Sequence, residues 1–116
     1  MSGRWRPLIV AGLALIMISG SGRAFLQNGY FDAVGQGNSS CGAWTAARSG
    51  GVVRALGFEQ WVLGFISGIG SARADANPLN GMDADGIWAW IDNYCREHPI
   101  DELLTAAAAF ADAHPR

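Results

Sequence analysis

The chain has 116 residues, half of them hydrophobic, and its formal net charge is −2 because eight arginines oppose ten carboxylates. Three of the arginines precede residue 25, so the rest of the chain has five arginines, ten carboxylates and a net charge of −5. An acidic chain without a basic stripe does not fit nucleic-acid binding or attachment to an anionic membrane surface. The composition therefore favours a soluble protein that binds neither.

Residues 1–24 have the pattern of a secretory signal peptide. A short basic start precedes an apolar run of eleven residues, Leu8–Ile18, and a membrane-spanning helix would need about 18. Gly22 and Ala24 then occupy the −3 and −1 positions of a signal-peptidase site. We predict cleavage after Ala24, with no stable membrane insertion afterwards. The alternative is an uncleaved anchor, since Arg23 is atypical beside the cut.

Cys41 and Cys95 are the only cysteines, so one intramolecular pairing exists. Because exported proteins fold in an oxidising compartment, the sequence predicts a disulfide between them. Such a cross-link, closing a loop of about 50 residues, contributes roughly 4 kcal/mol in the chain-entropy model. A two-cysteine metal site and a reactive thiol pair are the alternatives, but His98 and His114 offer no ligand spacing. No metal or cofactor is predicted.

The 92 residues that follow the leader are enough for one small domain. Residues 25–40 are rich in Gly, Asn and Ser, which predicts a flexible lead-in, and residues 41–116 form the predicted helical domain. Asn38-Ser39-Ser40 matches a glycosylation sequon, but we interpret it as a helix start.

Gly50-Gly51 separates the first two predicted helices. The first begins at Ser40 and carries Trp44. The second covers Val53–Ile69, where apolar residues recur at helical spacing, so we predict a central and mostly buried helix.

Three glycines, Gly57, Gly64 and Gly68, lie inside this second helix. Each costs about 1 kcal/mol of helix propensity relative to alanine. We predict that a neighbouring helix approaches the glycines closely and offsets this cost. Membrane dimerisation through Gly64-x-x-x-Gly68 is the alternative, a role this pattern plays in apolar spans of about 20 residues.

A loop over Ser71–Gly81 leads to a third predicted helix, Asp83–Arg96. Ile87, Ile91 and Cys95 form an i, i+4, i+8 stripe, which predicts that Cys95 faces the core.

A fourth helix is predicted between Pro99 and Pro115. Its predicted apolar face comprises Leu104, Ala107, Ala108 and Ala111. The predicted fold is therefore an all-α, small four-helix orthogonal or irregular bundle, stapled by one disulfide and preceded by a cleaved signal peptide.

Two polar features could carry chemistry. Asp83-Ala84-Asp85-Gly86 is similar to part of a calcium loop, but Gly81 stands where the first carboxylate ligand belongs, so we favour helix capping. His98 is a candidate general base near Glu97, yet a histidine at a helix end is also explained by the C-terminal carbonyls. His114 is expected to be solvated. Without a nucleophile and base pair, we predict no enzyme.

The tryptophans suggest a binding surface. Trp88 and Trp90 point about 200° apart on a helix, so one of them is expected to be exposed or at an interface. Trp90 and Tyr94, spaced i, i+4, would form an aromatic patch of the kind that anchors protein partners. The alternative is that these rings fill the core or shield the disulfide.

Three segments carry a resemblance to known families: Cys41-Gly42-x-Trp44, then Trp61-Val62-Leu63-Gly64-Phe65-Ile66-Ser67-Gly68, then Gly86-Ile87-x-x-Trp90-Ile91-Asp92-x-Tyr94-Cys95-x-x-x-Pro99. The pattern resembles small secreted proteobacterial proteins with one disulfide across a helical bundle. These are the periplasmic acid-stress chaperones of the HdeA type and the type VI secretion immunity proteins of the Rap/Tai type. The resemblance spans most of residues 41–111 and implies a helical fold, an oxidised disulfide and a periplasmic location.

Two functions compete at this point. The first is a non-enzymatic periplasmic or secreted protein that binds one protein partner, with an immunity or inhibitor role as its concrete form, because the surface is acidic and aromatic residues are in surplus. The second is an acid-activated chaperone, because ten carboxylates lose their charge below about pH 4 and any interface that needs them weakens. The sequence leaves open whether the protein forms a homodimer.

Overall fold

The computed structural model describes Gly3 and residues 32–115, and these residues form four α-helices and one short 3-10 turn. The turn is Gln36–Asn38, and the helices are α1 (Cys41–Ser49), α2 (Val52–Ala72), α3 (Ala84–Glu97) and α4 (Leu103–Ala113). Apart from Gly3, the predicted signal peptide and its cleavage site lie outside the described residues. The predicted all-α bundle with four helices is confirmed.

The starts of α1 and α4 lie side by side. Ser40 caps α1, its side-chain oxygen accepting from the Ala43 backbone N–H at 3.1 Å, as expected for a helix start. The Cys41 N–H donates to the Asp101 carbonyl at 2.7 Å, and the Leu103 N–H donates to the Ser39 carbonyl at 2.8 Å. These bonds satisfy backbone donors that a helix start leaves without an intrahelical partner.

Only two glycines connect α1 to α2. Gly50 ends α1, and Gly51 precedes α2 with a φ of +94°, a conformation that side chains with a Cβ rarely adopt. This short connection makes α1 and α2 direct neighbours. α1 and α4 each pack against both α2 and α3, so they lie between those two helices.

The disulfide lies at the centre of the core. It joins Cys41, in the first turn of α1, to Cys95, in the last turn of α3, and both residues are fully buried. The largest side chains of the surrounding core are Trp44, Val62, Ile66, Ile87, Trp88, Ile91, Leu103 and Phe110. The predicted pairing and the inward position of Cys95 are confirmed, and an internal disulfide is compatible with an oxidising compartment outside the cytosol.

α2 is much less buried than predicted. Its buried residues, Ala55, Val62, Ile66 and Ile69, lie on one side, whereas Val53 is 90% exposed and Leu56 is 50% exposed. The prediction of a mostly buried helix is wrong because α1, α4 and the 3-10 turn contact α2 from one side only, and no further described helix covers the other. By length and composition alone, α2 is the one described helix that could cross a membrane.

α4 begins at Leu103, which sets the register of its apolar face. Ala107, Ala108 and Ala111 are buried as predicted, but Leu104 is only half-buried. Leu103 and Phe110 are instead the largest fully buried side chains of α4. Small alanines let α4 lie close to its neighbours, and Phe110 fills the space between α3 and α4.

The described part of the predicted lead-in contacts the bundle. The indole N–H of Trp61 on α2 donates to the Val34 carbonyl at 3.0 Å. Gly37 is buried directly under the Trp61 ring, where an added Cβ would overlap the indole. Residues 34–38 are therefore packed on α2 and belong to the folded unit.

Candidate partner-binding surfaces

Five aromatic rings form a continuous array across α3 and the end of α4, which we call the aromatic ladder: Trp90, Tyr94, His98, Phe110 and His114. On α3, Trp90 stacks on Tyr94 at 5.7 Å between ring centroids, and Tyr94 stacks on His98 at 4.3 Å. Trp90 also meets Phe110 edge-on at 5.4 Å and His114 at 5.9 Å. Trp90 thus joins the rings of both helices.

The two histidines of the ladder occupy equivalent positions. Each follows the last residue of its helix, stacks at 4.3 Å on the aromatic ring four residues earlier, and precedes a proline. The Nδ1 atom of His98 lies 3.0 Å from the Tyr94 carbonyl, and that of His114 lies 2.8 Å from the Phe110 carbonyl. His98 thus has the position that the capping interpretation describes. The expectation that His114 is solvated is wrong, because its ring packs on Phe110 and is half-buried.

Trp88 and Trp90 do point in different directions, as their spacing predicts. Trp88 is buried in the core with its ring 6.0 Å from that of Trp44, whereas Trp90 is half-buried in the ladder. Trp90 and Tyr94 therefore form the predicted aromatic patch. Their role in binding a partner stays a prediction.

A hydrogen bond fixes the Tyr94 hydroxyl at one edge of the ladder. It donates to Oδ2 of Asp101 at 2.8 Å. Burial raises the pKa of Tyr94 to about 12, and the hydrogen bond and charge of Asp101 add to that shift. Tyr94 is therefore a neutral donor throughout the physiological range, and Asp101 keeps a second carboxylate oxygen.

A polar joint on the opposite side of α3 connects three helices. Arg48 of α1 donates through Nε and Nη2 to the two oxygens of Asp92 on α3, at 3.2 and 3.1 Å, and through Nη1 to Glu59 on α2 at 2.6 Å. The buried Trp44 indole N–H donates to the same Asp92 at 2.8 Å. These carboxylates, Asp92 first, raise the pKa of Arg48, while partial burial acts against them. We call Arg48, Asp92, Glu59 and Trp44 the arginine joint.

A cleft of about 390 Å³ opens beside the arginine joint, lined by Thr45, Arg48, Ser49, Asp92 and Arg96. The hydroxyls of Thr45 and Ser49 donate to carbonyls one turn earlier in α1, and Arg48 is already bonded to two carboxylates. Neither hydroxyl lies against a general base, so the cleft does not have the arrangement of a nucleophilic active site.

The Asp83 segment has the geometry of a helix cap. The Oδ1 atom of Asp83 accepts from the Gly86 backbone N–H at 2.7 Å. Among residues 32–115, no three His, Cys, Asp or Glu side chains are grouped so that they could hold a metal ion. The capping interpretation of the calcium-like segment is therefore confirmed for Asp83.

The side of α2 that points away from the bundle was not predicted as a surface. We call it the outer face of α2; its exposed residues are Val53, Leu56, Gly57, Gln60, Gly64, Ser67, Gly68 and Ser71. A Cβ added at Gly57, Gly64 or Gly68 would meet nothing within 4 Å. The predicted close neighbour of these glycines is therefore wrong within the described chain. α2 has only two charged residues: Glu59 bonds to Arg48 of α1, and the exposed Arg54 lies at the edge of this face, with its side chain beside Gly50.

Comparisons with known proteins found no matching family model, no matching curated protein and no matching solved structure.

Proposed function

We propose that the protein is a non-enzymatic, periplasmic protein-binding protein and that one cognate protein partner packs on the outer face of α2. The observation that carries this proposal is that a 21-residue helix leaves a charge-free face uncovered. The start of α2 also presents three exposed large apolar side chains: Val52 and Val53, at 81% and 90% exposure, and Leu56. Val53 and Leu56 lie one helical turn apart on the outer face, and exposed apolar side chains grouped on one side of a helix mark an interaction site.

The glycines of this face support the same conclusion. Each costs about 1 kcal/mol relative to alanine inside a helix, and no contact within the described chain offsets that cost. Open Cβ positions at Gly57, Gly64 and Gly68 allow the backbone of another molecule to come close to the α2 backbone. A partner that used this closeness would gain contacts that a side chain at these positions would block.

The leader and the disulfide support the proposed compartment. The predicted signal peptide and the buried Cys41–Cys95 bond support export to an oxidising periplasm. A small disulfide-bonded domain with one uncovered face suits a protein that neutralises a single target. An immunity or inhibitor role is therefore the concrete form of the proposed function. The target, rather than a second copy of this chain, is the proposed occupant.

Affinity capture from the intact envelope tests this function. The full chain, tagged at its C-terminus and exported by its own leader, is crosslinked at neutral pH, and captured proteins are identified by mass spectrometry. We expect one stoichiometric protein other than the chain itself. The matched variants are Gly64→Leu, which fills the outer face, and Ala46→Leu, which enlarges an exposed position on α1. Capture should fail only with Gly64→Leu. Recovery of no specific protein, or of this chain alone, would contradict the proposal.

A second function, an acid-activated chaperone, is favoured by one observation, the arginine joint. Asp92 and Glu59 hold α1, α2 and α3 together through Arg48, so acid strong enough to protonate both carboxylates removes these ion pairs. Core faces of the helices would then become exposed to clients. Protection of many client proteins in acid alone, and no partner at neutral pH, would favour this function over the first.

A further inference from the structure

We propose that the aromatic ladder is a docking site for an arginine side chain presented by a protein partner. This surface lies on α3 and α4, so the inference goes beyond the outer face of α2 and does not depend on it. Three features carry it: the stacked rings, the charge around them, and a carboxylate oxygen beside Tyr94 that the Tyr94 hydroxyl does not use.

The charge around the ladder is negative. Glu97 lies three residues after Tyr94 and seven after Trp90, which places it on the same face of α3. Asp101 accepts from the Tyr94 hydroxyl, and the exposed Glu102 follows it. These three carboxylates form no ion pair with an arginine of the described residues.

The arginines of residues 32–115 lie elsewhere. Arg48 belongs to the arginine joint, Arg54 lies beside Gly50 at the turn between α1 and α2, and Arg73 pairs with Asp112 at 3.3 Å. Arg96 bonds to Asn93 and lines the cleft beside α1. Within the part of the chain that the structure describes, the ladder therefore combines aromatic rings with uncompensated carboxylates, and a cationic group is its electrostatic complement.

Arginine fits this combination better than lysine. Its guanidinium is planar, stacks on aromatic rings and forms paired hydrogen bonds with a carboxylate. The His98 ring is exposed and ends the stack on Tyr94, and the Tyr94 hydroxyl holds the Asp101 carboxylate. A lysine ammonium would be attracted by the same charge but would gain neither the stacking nor the paired hydrogen bonds.

Titration calorimetry with two defined peptides, hexa-arginine and hexa-lysine, tests the proposal. The double variant Glu97→Gln/Glu102→Gln removes two charges at the ladder, and Asp32→Asn/Asp85→Asn removes two exposed charges elsewhere. We expect hexa-arginine to bind more tightly than hexa-lysine. The affinity for hexa-arginine should fall about fivefold in Glu97→Gln/Glu102→Gln and less than about twofold in the control Asp32→Asn/Asp85→Asn. His98→Ala should reduce the preference for arginine. Circular dichroism confirms that each variant is folded.

Equal affinity for the two peptides, or equal losses in the two double variants, would overturn the proposal, since either would mean general attraction to an acidic protein. Failure to bind hexa-arginine would overturn it as well. The outcome is separable from that for the proposed function, because Gly64→Leu should leave peptide binding unchanged.

Discussion

α2 and α3 lie on opposite sides of α1 and α4, and each buries one stripe of apolar residues against them. Their outward sides differ. α3 presents charged and polar residues such as Asp85, Asn93 and Glu97, which water solvates well, whereas the outer face of α2 has only apolar, small and uncharged side chains. A helix can therefore complete the core of its own domain and still leave its other side uncovered by the described chain and free of charged side chains.

Removal of the disulfide between α1 and α3 should have the largest effect on stability. Replacing both cysteines with serine, Cys41→Ser/Cys95→Ser, should lower the free energy of unfolding by about 4 kcal/mol, because the unfolded chain gains the entropy of a long open loop. Denaturant unfolding of the two proteins measures the difference. Since both sulfurs are buried, the native bond should also resist mild reductant unless the protein unfolds. A loss below about 1 kcal/mol would mean that α3 is held by packing alone.

The arginine joint should come next in size. Asp92→Ala removes the acceptor of the buried Trp44 indole N–H and a partner of Arg48, so we expect a loss of about 2 kcal/mol. The control is Asp85→Ala, which removes an exposed carboxylate from the first turn of α3 and should cost less than about 1 kcal/mol. Thermal unfolding of both variants at neutral pH gives the comparison. Equal losses would show that the joint adds nothing beyond surface charge.

Two single glycine substitutions compare the uncovered outer face of α2 with the covered side, where Gly37 of the 3-10 turn lies under Trp61. Gly64→Ala on the outer face should raise the stability of the isolated protein by up to about 1 kcal/mol, because alanine favours the helix and its Cβ meets nothing. Gly37→Ala should destabilise it, because the new Cβ would overlap the Trp61 ring. Chemical unfolding reports both. If Gly64→Ala destabilised the isolated chain, the outer face would be packed within it.

A loss of stability at high pH is expected from Tyr94. The pKa of Tyr94 is raised from the usual 10 to about 12 in the folded protein, so its neutral hydroxyl stabilises the folded state fully below pH 10. This stabilisation is lost as the pH rises from 10 towards 12, because the tyrosine ionises first in the unfolded chain. Stability should therefore fall over that window in the natural chain and fall less in Tyr94→Phe. Absorbance titration should show one tyrosine ionising late in the natural chain. An unshifted titration would mean that the Tyr94 hydroxyl is solvated.

Much of the fold follows from local patterns in the sequence. Ser40 and Asp83 mark helix starts by their capping side chains, and the stripe through Ile87, Ile91 and Cys95 identifies the inner side of α3 because polar residues occupy the other side. α2 offers no such contrast. Its apolar and small residues occur on every side, so the periodicity indicates a helix but not which part of it is covered.

The candidate binding surfaces could be predicted only where their residues are neighbours on one helix. Trp90 and Tyr94 are spaced i, i+4, and so are Phe110 and His114, a signal that could have placed His114 in the ladder. The contact of Trp90 with Phe110 and the bonds of Arg48 and Trp44 to Asp92 join residues far apart in sequence. No local pattern encodes such contacts, because they depend on how the helices pack.

Site-specific photocrosslinking in the intact envelope tests directly whether a protein partner packs on the outer face of α2. Gln60, in the middle of that face, is compared with Ala46 on α1. Both positions are exposed, so reactivity alone does not separate them. We expect a probe at Gln60 to attach to one protein other than this chain and a probe at Ala46 to attach to none. Crosslinks of equal yield and identity from both positions, or none from Gln60, would contradict it.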